Sequence, residues 1–447
     1  MPNILRIKKK TLSFRKKINT IPGDKSLSIR WVLFSSIANG KSKSFNLLRS
    51  EDVFAAINTI RKLGIKVKIK KKYIEIFGKG INGFDYKKNL VLNAENSGTL
   101  GRLIVGLIID ANYRVKLVGD KSLSSRDFKR ITEPLEKFGA QFSLRNKKFL
   151  PLLIQGSKNL KPINYFENKG SAQCKSSIIF AGLKTEGITK IKAKKSRNHT
   201  ELLCKFLKLP IKIKKTKSYD FISIKKTNFI KPLNYKIPAD ISSAAFFIVL
   251  TVLSNSSSLI LENININPSR IGIITILNKM GANIKFKNKR KYKGEDIANI
   301  YVESTNKIKP INCPSNLNSG AIDEFLLIFL VAAKADGISY FKNIGELNEK
   351  ESPRLKWGSK ILNLMGVKTI TTNHSIKIFG NPKLNINKKI IIKNYLKDHR
   401  IFMTSAIAAL SLGGDWQIHD KDSVKTSFPN FLDIIYSFKN EKKKKYN

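Results

Sequence analysis

Six apolar segments of helical length recur along the chain, and each follows a short polar opening. The segments start at Asp24, Asn96, Ser171, Asp240, Asp323 and Asp398. Their starts lie 69 to 83 residues apart, and such regular spacing indicates internal repeats. Each opening also has the composition of a helix N-terminus, where unpaired backbone N–H groups favour anions. The pattern therefore predicts six buried helices whose N-terminal ends suit an anionic ligand.

A second helix is predicted in the repeats, and this one is amphipathic and ends near a glycine. Apolar residues recur at i, i+3 and i+4 before Gly64, Gly139, Gly281 and Gly366, and β-rich runs follow. The four segments span residues 51–69, 126–144, 268–286 and 352–370. The expected repeat is therefore roughly βαβαβ, with one buried and one half-exposed helix.

The repeats favour two domains of three units each. We expect the first domain at 22–237 and the second at 1–21 plus 238–447, because Pro238 breaks the chain before the fourth buried helix. The first strand, within about residues 1–19, could pair with either half.

The chain is strongly basic, with 84 Lys and Arg against 32 Asp and Glu and a net charge of +52. Charge alone is compatible with a nucleic-acid binder. A small substrate with several phosphates or carboxylates is the other interpretation, and it explains the placement of the charge better. Eight cations lie in or beside the helix openings: Lys25, Arg30, Arg102, Arg126, Lys175, Lys350, Arg354 and Arg400. Aromatic RNA-binding signatures and zinc spacings are absent from the sequence.

Cysteine usage and hydropathy restrict the class further. Cys174, Cys204 and Cys313 form no CxxC pair, which argues against a zinc site or a disulfide scaffold and favours a reducing compartment. The longest uncharged apolar stretch, from Ile241 to about Leu253, is too short to span a bilayer. We therefore expect a cytoplasmic protein with neither a metal nor a membrane segment.

Ten motifs occur in one order along residues 20–435. They are PGDKSLSIR, AENSGTLGRL, GDKSLSSR, GSAQCKSSIIFAGL, SRNHTE, ADISSAAFF, IDEF, KESPR, DHRIFM and TSFPNF. Together they resemble the 5-enolpyruvylshikimate-3-phosphate (EPSP) synthase family, also called 3-phosphoshikimate 1-carboxyvinyltransferases. The resemblance implies an α/β fold of two similar domains, each with three βαβαββ repeats about a pseudo-threefold axis, and an active site in the interdomain cleft.

The resemblance also implies a reaction. The enolpyruvyl group of phosphoenolpyruvate would pass to the 5-hydroxyl of shikimate 3-phosphate, on the way to chorismate and the aromatic amino acids. A tetrahedral ketal would form and then expel phosphate. Neither a cofactor nor a nucleic-acid or membrane partner is expected, and the enzyme would act as a monomer. Anionic substrates require cations and helix N-termini, and the chemistry requires an acid and a base.

The resemblance places shikimate 3-phosphate mainly on the first domain. Lys25 would contact both substrates, whereas Ser26 and Arg30 would hold shikimate 3-phosphate. Ser171 and Ser196 would bind its phosphate, with Ala172 as a further substrate-binding position and Gln173 over the ring.

The second domain would complete the phosphoenolpyruvate site and supply the acid and base. Asn96, Gly98 and Arg126 would frame phosphoenolpyruvate together with Arg354 and Arg400. Asp323 would take or orient the 5-hydroxyl proton. Lys350 and Glu351 are the candidates for proton transfer at the other centre, and the division of roles among these three stays open. Lys25 is the remaining candidate catalytic group.

Several residues have structural alternatives. Asp323 could be only a helix cap, and Lys25 only a solvated charge. Arg102 and Lys175 are expected to anchor helices, and His199 and His399 to be hydrogen-bonded structural residues. Pro353 and Thr426 depart from the family pattern, which leaves their local effect open.

Two rival functions remain at this point. A UDP-N-acetylglucosamine enolpyruvyl transferase would share the fold but typically has a reactive loop cysteine, which none of the three cysteines here matches. A nucleic-acid-binding protein is the other rival.

Overall fold

The computed structural model describes residues 3–439. Its helices, in chain order, are α1 (Lys25–Ser36), α2 (Glu51–Lys62), α3 (Gly98–Leu107), α4 (Lys129–Glu136), α5 (Ala172–Gly182), α6 (His199–Phe206), α7 (Ile241–Leu253), α8 (Gly272–Lys279), α9 (Asn318–Ala321), α10 (Phe325–Ala333), α11 (Arg354–Leu364), α12 (His399–Leu412) and α13 (Phe431–Lys439).

The strands alternate with these helices. They are β1 (Ile4–Ile7), β2 (Arg15–Ile18), β3 (Asn39–Phe45), β4 (Lys66–Ile69), β5 (Tyr73–Lys79), β6 (Leu90–Asn93), β7 (Val115–Val118), β8 (Gln141–Arg145), β9 (Phe149–Gln155), β10 (Asn164–Glu167), β11 (Ile188–Lys194), β12 (Ile211–Lys215), β13 (Tyr219–Lys225), β14 (Tyr235–Lys236), β15 (Ser258–Asn265), β16 (Asn283–Tyr292), β17 (Glu295–Glu303), β18 (Asn312–Cys313), β19 (Ile338–Phe341), β20 (Thr369–Thr371), β21 (Ile376–Phe379), β22 (Ile386–Ile392) and β23 (Gly413–His419).

The chain divides into two compact units. The central unit comprises Gly23–Ile237 and Lys291–Glu295, and the terminal unit comprises the residues up to Pro22, Pro238–Arg290 and the residues from Asp296 onward. Residues 291–295 fall within the range 238–447 expected for the second domain. They belong instead to the central unit, where the ring of Tyr292 stacks on that of Tyr235.

Three similar sheets form the central unit. Their strand orders are β14-β3-β5-β4, β6-β7-β9-β8 and β10-β11-β13-β12. In each sheet the first two strands are parallel and the later neighbours are antiparallel. The order β6-α3-β7-α4-β8-β9 along the chain is therefore a βαβαββ repeat, and β10 to β13 with α5 and α6 repeat it.

The terminal unit has the same plan, with two strands taken from the start of the chain. Its sheets are β2-β15-β17-β16, β18-β19-β21-β20 and the three-stranded β22-β23-β1. Strand β2 precedes α1 in sequence but pairs in parallel with β15, and β14 precedes α7 but pairs in parallel with β3. The first strand, whose partner the sequence left open, therefore belongs to the terminal unit.

The apolar helices predicted from the repeats form the interior of each unit. Every residue of α7 and α10 is buried, and two separate apolar cores comprise the buried side chains of the terminal and central units. Helices α3 and α5 approach closely at Gly106, where a Cβ atom would lie 2.0 Å from the carbonyl oxygen of Ser177.

Four of the six expected helix starts are confirmed. Asp24, Ser171, Asp240 and Asp398 are N-cap residues, and the side chain of each accepts a backbone N–H of the first turn. The other two were wrong by one position, because the N-cap of α3 is Ser97 and that of α10 is Glu324.

The amphipathic helices end as expected; α2 also begins where expected, at Glu51, whereas α4, α8 and α11 begin later than expected. Gly64 and Gly366 follow α2 and α11 with φ of 82° and 88°, a backbone region that favours glycine. Helix α4 begins at Lys129 rather than Arg126, which has extended backbone after a short 3₁₀ turn at Leu123–Ser125.

Helix length and composition along residues 3–439 limit which segments could cross a membrane. No single helix in this range is long and apolar enough to cross a bilayer, and one sharply bent pair, Ser315–Ala321 with Phe325–Ala333, meets the criterion by length and composition alone.

Candidate active site

The N-terminal end of α1 carries the first group of predicted substrate contacts. Asp24 caps the helix through the backbone N–H of Leu27 at 2.9 Å. Lys25 follows at the first helical position, and its ammonium lies 2.9 Å from the carboxylate of Asp52. Its side chain keeps 22% of its surface exposed, so Lys25 is held by an ion pair and is still accessible. This contact argues against the alternative of a freely solvated charge.

Arg30, one turn further along α1, is buried among protein atoms. Its guanidinium donates to the carbonyl of Ser26 at 3.0 Å, to the hydroxyl of Thr200 at 2.7 Å and to that of Ser176 at 3.2 Å. Burial lowers the pKa of Arg30 to about 10, against the opposing effect of Glu201 and Asp24. Arg30 therefore ties α1 to α5 and α6 in this structure, and a direct contact with substrate stays a prediction.

Asn96, Gly98 and Arg126 lie together at the N-terminal end of α3. The amide of Asn96 donates to Asp120 at 2.5 Å, and the guanidinium of Arg126 donates to Asn96 at 3.3 Å. A Cβ atom on Gly98 would lie 3.1 Å from Nη1 of Arg126 and 3.2 Å from Nη1 of Arg102. Two guanidinium groups therefore converge on the glycine, as an anion site requires.

The opening of α5 holds the next group. Ser171 caps the helix through the N–H of Cys174 at 3.2 Å, and Ala172 is its first residue. The carboxamide of Gln173 accepts from Arg102 at 2.5 Å and donates to Thr99 at 3.2 Å. Arg102 therefore orients Gln173, in keeping with the anchoring role expected for it.

Ser196 precedes α6 in the segment that follows β11. Its hydroxyl is buried, and no residue within 3–439 offers it a hydrogen-bond partner. A buried polar atom without a partner is costly unless a ligand or water satisfies it. A ligand oxygen would satisfy this hydroxyl, and the binding of substrate phosphate by Ser196 stays a prediction.

The terminal unit brings the predicted acid and base residues into one cluster. A carboxylate oxygen of Asp323 lies 3.5 Å from Nη1 of Arg354 and 4.0 Å from the ammonium of Lys350. Glu351 also forms an ion pair with Arg354. Lys350 lies 3.2 Å from Glu346. Asp323 directly precedes Glu324, the N-cap of α10, and its role as a base stays a prediction.

Arg354 and Asp398 form the buried centre of this cluster. Asp398 accepts from Nε of Arg354 at 2.8 Å and from Nη2 at 3.2 Å, and from the hydroxyl of Ser352 at 2.8 Å. Burial acts to raise the pKa of Asp398, but Arg354 holds it below its ordinary value. Burial likewise opposes the charge on Arg354, and Asp398 with Glu351 and Asp323 raises its pKa above the ordinary value nonetheless. Both groups are therefore charged at neutral pH.

Arg400 contacts the other side of Asp323. Its guanidinium donates to the backbone carbonyl of Asp323 at 2.7 Å and lies 3.3 Å from Glu324. Glu324 in turn accepts from Ser242 at 2.5 Å, and Ser242 accepts from Arg270 at 2.7 Å. Arg400 is therefore fixed by a buried chain of polar groups.

The sequence reasoning missed the buried partners of the site residues. Glu324, Asp52, Thr200 and Arg270 were not named, and Asp398 was named only as a helix start. Glu324 and Thr200 lie inside the motifs IDEF and SRNHTE, so their position next to site residues was an available signal. Asp52 and Arg270 had no such signal, because their contacts are made by tertiary packing.

The two departures from the family pattern have clear positions. Pro353 is the N-cap of α11, where the missing N–H breaks no helical hydrogen bond. Thr426 shares a hydrogen bond of 3.1 Å with Nδ1 of His399, which agrees with a structural role for that histidine.

The three cysteines are buried. Burial raises the pKa of Cys174 to about 12 and of Cys313 to about 11, and that of Cys204 also lies above its ordinary value because of burial. A reactive cysteine requires an exposed thiol with a lowered pKa, and none of the three meets this requirement. Within residues 3–439, no group of three or more His, Cys, Asp or Glu side chains is arranged to hold a metal ion.

The repeated βαβαββ units in both parts of the chain form the enolpyruvyl transferase fold. The solved enolpyruvyl transferase NikO from Streptomyces tendae shares this fold, with a TM-score of 0.76 over 98% of each chain at 12% identity. The family model of EPSP synthase (3-phosphoshikimate 1-carboxyvinyltransferase) matches residues 9–435. The chain therefore belongs to the EPSP synthase family, and the fold class expected from the sequence is confirmed.

Individual relatives agree with this assignment. A 3-phosphoshikimate 1-carboxyvinyltransferase of Caldicellulosiruptor bescii is 38% identical over 429 residues, which cover 95% of this chain and 97% of the relative. That of Vesicomyosocius okutanii is 39% identical over 93% of each chain. The solved EPSP synthase of Acinetobacter baumannii superposes with a TM-score of 0.85 at 34% identity, covering 97% of this chain and 98% of that one.

Proposed function

We propose that this chain transfers the enolpyruvyl group of phosphoenolpyruvate to the 5-hydroxyl of shikimate 3-phosphate and releases phosphate. The observation that carries the proposal is the family match across residues 9–435. The residues carried over from the family also lie in local clusters of the required chemistry. The reaction belongs to the pathway that leads to chorismate and the aromatic amino acids.

Shikimate 3-phosphate would be held by the central unit. Ser171 and the partnerless hydroxyl of Ser196 would bind its phosphate, and Gln173, oriented by Arg102, would lie over the ring. Ser26, Ala172 and Arg30 complete this set. Arg30 would act in part by holding the first turns of α1 and α6 together.

Phosphoenolpyruvate would be bound by guanidinium groups and by Lys25. Arg126 and Arg102 converge on Gly98 at the start of α3, where backbone N–H groups and cations favour a phosphate or a carboxylate. Asn96 fixes Arg126 through the 3.3 Å hydrogen bond between them. Arg354 and Arg400 would supply the further positive charge.

Proton transfer would fall to the cluster around Asp323. In the first step the 5-oxygen bonds to C2 of phosphoenolpyruvate, the hydroxyl proton passes to a base, and C3 gains a proton to give the ketal. In the second step C3 loses a proton, the C2–phosphate bond breaks, and the enol ether and phosphate are released. Asp323 is the candidate base for the hydroxyl, and Lys350 or Glu351 serves C3.

A phosphate-release assay with two acceptors tests the proposal. We expect phosphoenolpyruvate to release phosphate with shikimate 3-phosphate and not with UDP-N-acetylglucosamine. The buried cysteines with raised pKa argue against the second acceptor. Phosphate release only with the UDP sugar would contradict the proposal. The monomeric state and the cytoplasmic location stay predictions, to be checked by sedimentation and cell fractionation.

A further inference from the structure

The tip of the β16–β17 hairpin belongs to the central unit although the rest of the hairpin does not. Residues Lys291–Glu295 form this tip. The ring of Tyr292 stacks on Tyr235 with centroids 5.6 Å apart, and its hydroxyl accepts the backbone N–H of Lys236 at 3.1 Å. The ammonium of Lys293 donates to the carbonyl of Asn234. The tip is therefore anchored to β14 and the residue before it.

Glu295, which also belongs to this tip, contacts helix α6. One of its carboxylate oxygens lies 2.7 Å from Nδ1 of His199, and both side chains are 0% exposed. His199 is the first residue of α6. Because a buried carboxylate is costly without polar partners, this contact holds the beginning of α6 against the hairpin tip.

The two following residues of α6 are anchored by other elements. The hydroxyl of Thr200 accepts from Arg30 of α1 at 2.7 Å and lies 2.7 Å from that of Ser176 of α5. Glu201 forms a buried ion pair of 2.6 Å with Lys175 of α5. The first turn of α6 is thus held by contacts with three other elements, and the contact with Glu295 is one of them.

The segment before this turn carries Ser196. It lies between the end of β11 at Lys194 and the start of α6 at His199, so its position depends on where both elements are held. The pair Glu295–His199 fixes its downstream end. Ser196 lies in this segment, three residues before His199, and its buried hydroxyl has no hydrogen-bond partner in residues 3–439.

We propose that Glu295 is a positioning residue for shikimate 3-phosphate, because its contact with His199 holds Ser196 where the substrate phosphate binds. The inference rests on the proposed function, in which Ser196 contacts that phosphate. Glu295 touches no reacting atom in this account. Its loss weakens the binding of shikimate 3-phosphate and leaves the chemical step and the affinity for phosphoenolpyruvate largely unchanged.

Two variants of Glu295 and one control test the inference. Glu295→Ala removes the carboxylate, and Glu295→Asp withdraws it by one methylene while keeping the charge. Lys293→Ala is the matched control, because Lys293 lies on the same tip but meets α6 at its far end, with the ammonium 5.6 Å from the ring centroid of Phe206. We expect the dissociation constant of shikimate 3-phosphate, measured by calorimetry, to rise about tenfold in Glu295→Ala and by less in Glu295→Asp. Lys293→Ala is expected to bind as the wild type does.

The steady-state constants separate positioning from simple loss of stability. We expect the KM for shikimate 3-phosphate to rise at nearly constant kcat in folded protein. Should Glu295→Ala fail to fold, Glu295→Asp decides the question. Folded variants with a lowered Tm and wild-type affinity for shikimate 3-phosphate would overturn the inference.

The same series distinguishes failure of the inference from failure of the proposed function. Ser196→Ala is measured alongside. Wild-type protein that binds no shikimate 3-phosphate contradicts both. A second result would contradict the inference alone. In that case the wild type binds shikimate 3-phosphate, Ser196→Ala binds it weakly, and both Glu295 variants bind it normally.

Discussion

Asp323 is the residue whose surroundings bear most directly on proton transfer. Its carboxylate lies within 4.0 Å of Lys350 and 3.5 Å of Arg354, and its backbone carbonyl accepts from Arg400. Two cations therefore lie close to this partly exposed carboxylate, and a third binds the backbone carbonyl of the same residue. A carboxylate at this place is the group to which the 5-hydroxyl would pass its proton in the proposed reaction.

Asp323→Asn tests this role. The substitution keeps the size of the side chain and removes the base, so we expect kcat to fall by about 10²–10⁴-fold while shikimate 3-phosphate still binds. Steady-state kinetics and calorimetry measure both quantities. A lowered Tm with normal turnover per folded molecule would show instead that Asp323 is structural.

Gly98→Ala tests the anion site at the start of α3. The new methyl group would lie 3.1 Å from Arg126 and 3.2 Å from Arg102, in the space where we place the anion. We expect the KM for phosphoenolpyruvate to rise about tenfold or more, because one blocked hydrogen bond or ion contact costs about 1.5–3 kcal/mol.

Gly101→Ala on the same helix is the control for Gly98. Its new Cβ would meet Phe128 at 3.2 Å and otherwise apolar atoms of Ala94 and Leu123. It should therefore affect Tm rather than the KM for phosphoenolpyruvate. An unchanged KM in Gly98→Ala, with a lowered Tm, would limit that glycine to a folding role.

At the scale of elements, helices α11 and α12 are joined by one buried ion pair. Arg354 is the first residue of α11 and Asp398 is the N-cap of α12. The pair lies 2.8 Å apart, with the Arg354 side chain 2% exposed and the Asp398 side chain 0% exposed. Asp398 is fully buried and Arg354 is its charged partner, so the contact fixes both helix starts and with them the site.

Asp398→Asn should therefore destabilise the fold, by about 3–5 kcal/mol at neutral pH. The pKa of Asp398 lies below its ordinary value in the folded state. The ionised carboxylate therefore adds to the free energy of unfolding above about pH 4, and this addition is lost as the pH falls through the folded pKa. The difference in free energy of unfolding between the wild type and Asp398→Asn should then decrease as the pH is lowered. Chemical denaturation from pH 7 to pH 3 measures it.

An exposed ion pair provides the control for this experiment. Glu186 and Lys226 lie 2.6 Å apart with 78% and 32% of their side chains exposed, so Glu186→Gln should change stability little. The account of the buried pair would be contradicted if the difference in free energy of unfolding between the wild type and Asp398→Asn did not change with pH.

The elements show what the sequence can and cannot predict. The helix starts at Asp24, Ser171, Asp240 and Asp398 were predicted correctly, because capping is a local interaction between a side chain and the next turn. The pairing of β2 with β15 and of β14 with β3 was not predicted, because strand pairing is decided by long-range packing that leaves no local signal. The anchoring of Arg30 by Thr200 and Ser176 was missed for the same reason.

At the scale of the whole molecule, positive charge and the division into two units suggest a ligand-driven response. The net charge is +52, and each unit carries cations that we assign to substrate. Like charges oppose close approach, and an anionic ligand relieves that repulsion. We therefore expect shikimate 3-phosphate to favour a more compact state, with the chain crossings near residues 20 and 238 as hinges.

Small-angle scattering tests this expectation. The radius of gyration should decrease on saturation with shikimate 3-phosphate, and Ser196→Ala should need more ligand for the same change. Inorganic sulfate at equal ionic strength controls for screening of charge. An unchanged radius at saturating substrate would contradict ligand-driven compaction.

The fate of the carbon skeleton of phosphoenolpyruvate tests the central claim most directly. Phosphoenolpyruvate labelled at C2 is incubated with the protein and shikimate 3-phosphate, and the label is followed by NMR together with released phosphate. The account predicts that the label moves into an enol ether on the 5-oxygen of shikimate 3-phosphate, with one phosphate released for each transfer. Label recovered as pyruvate, or a labelled substrate left unchanged by active wild-type protein, would contradict it.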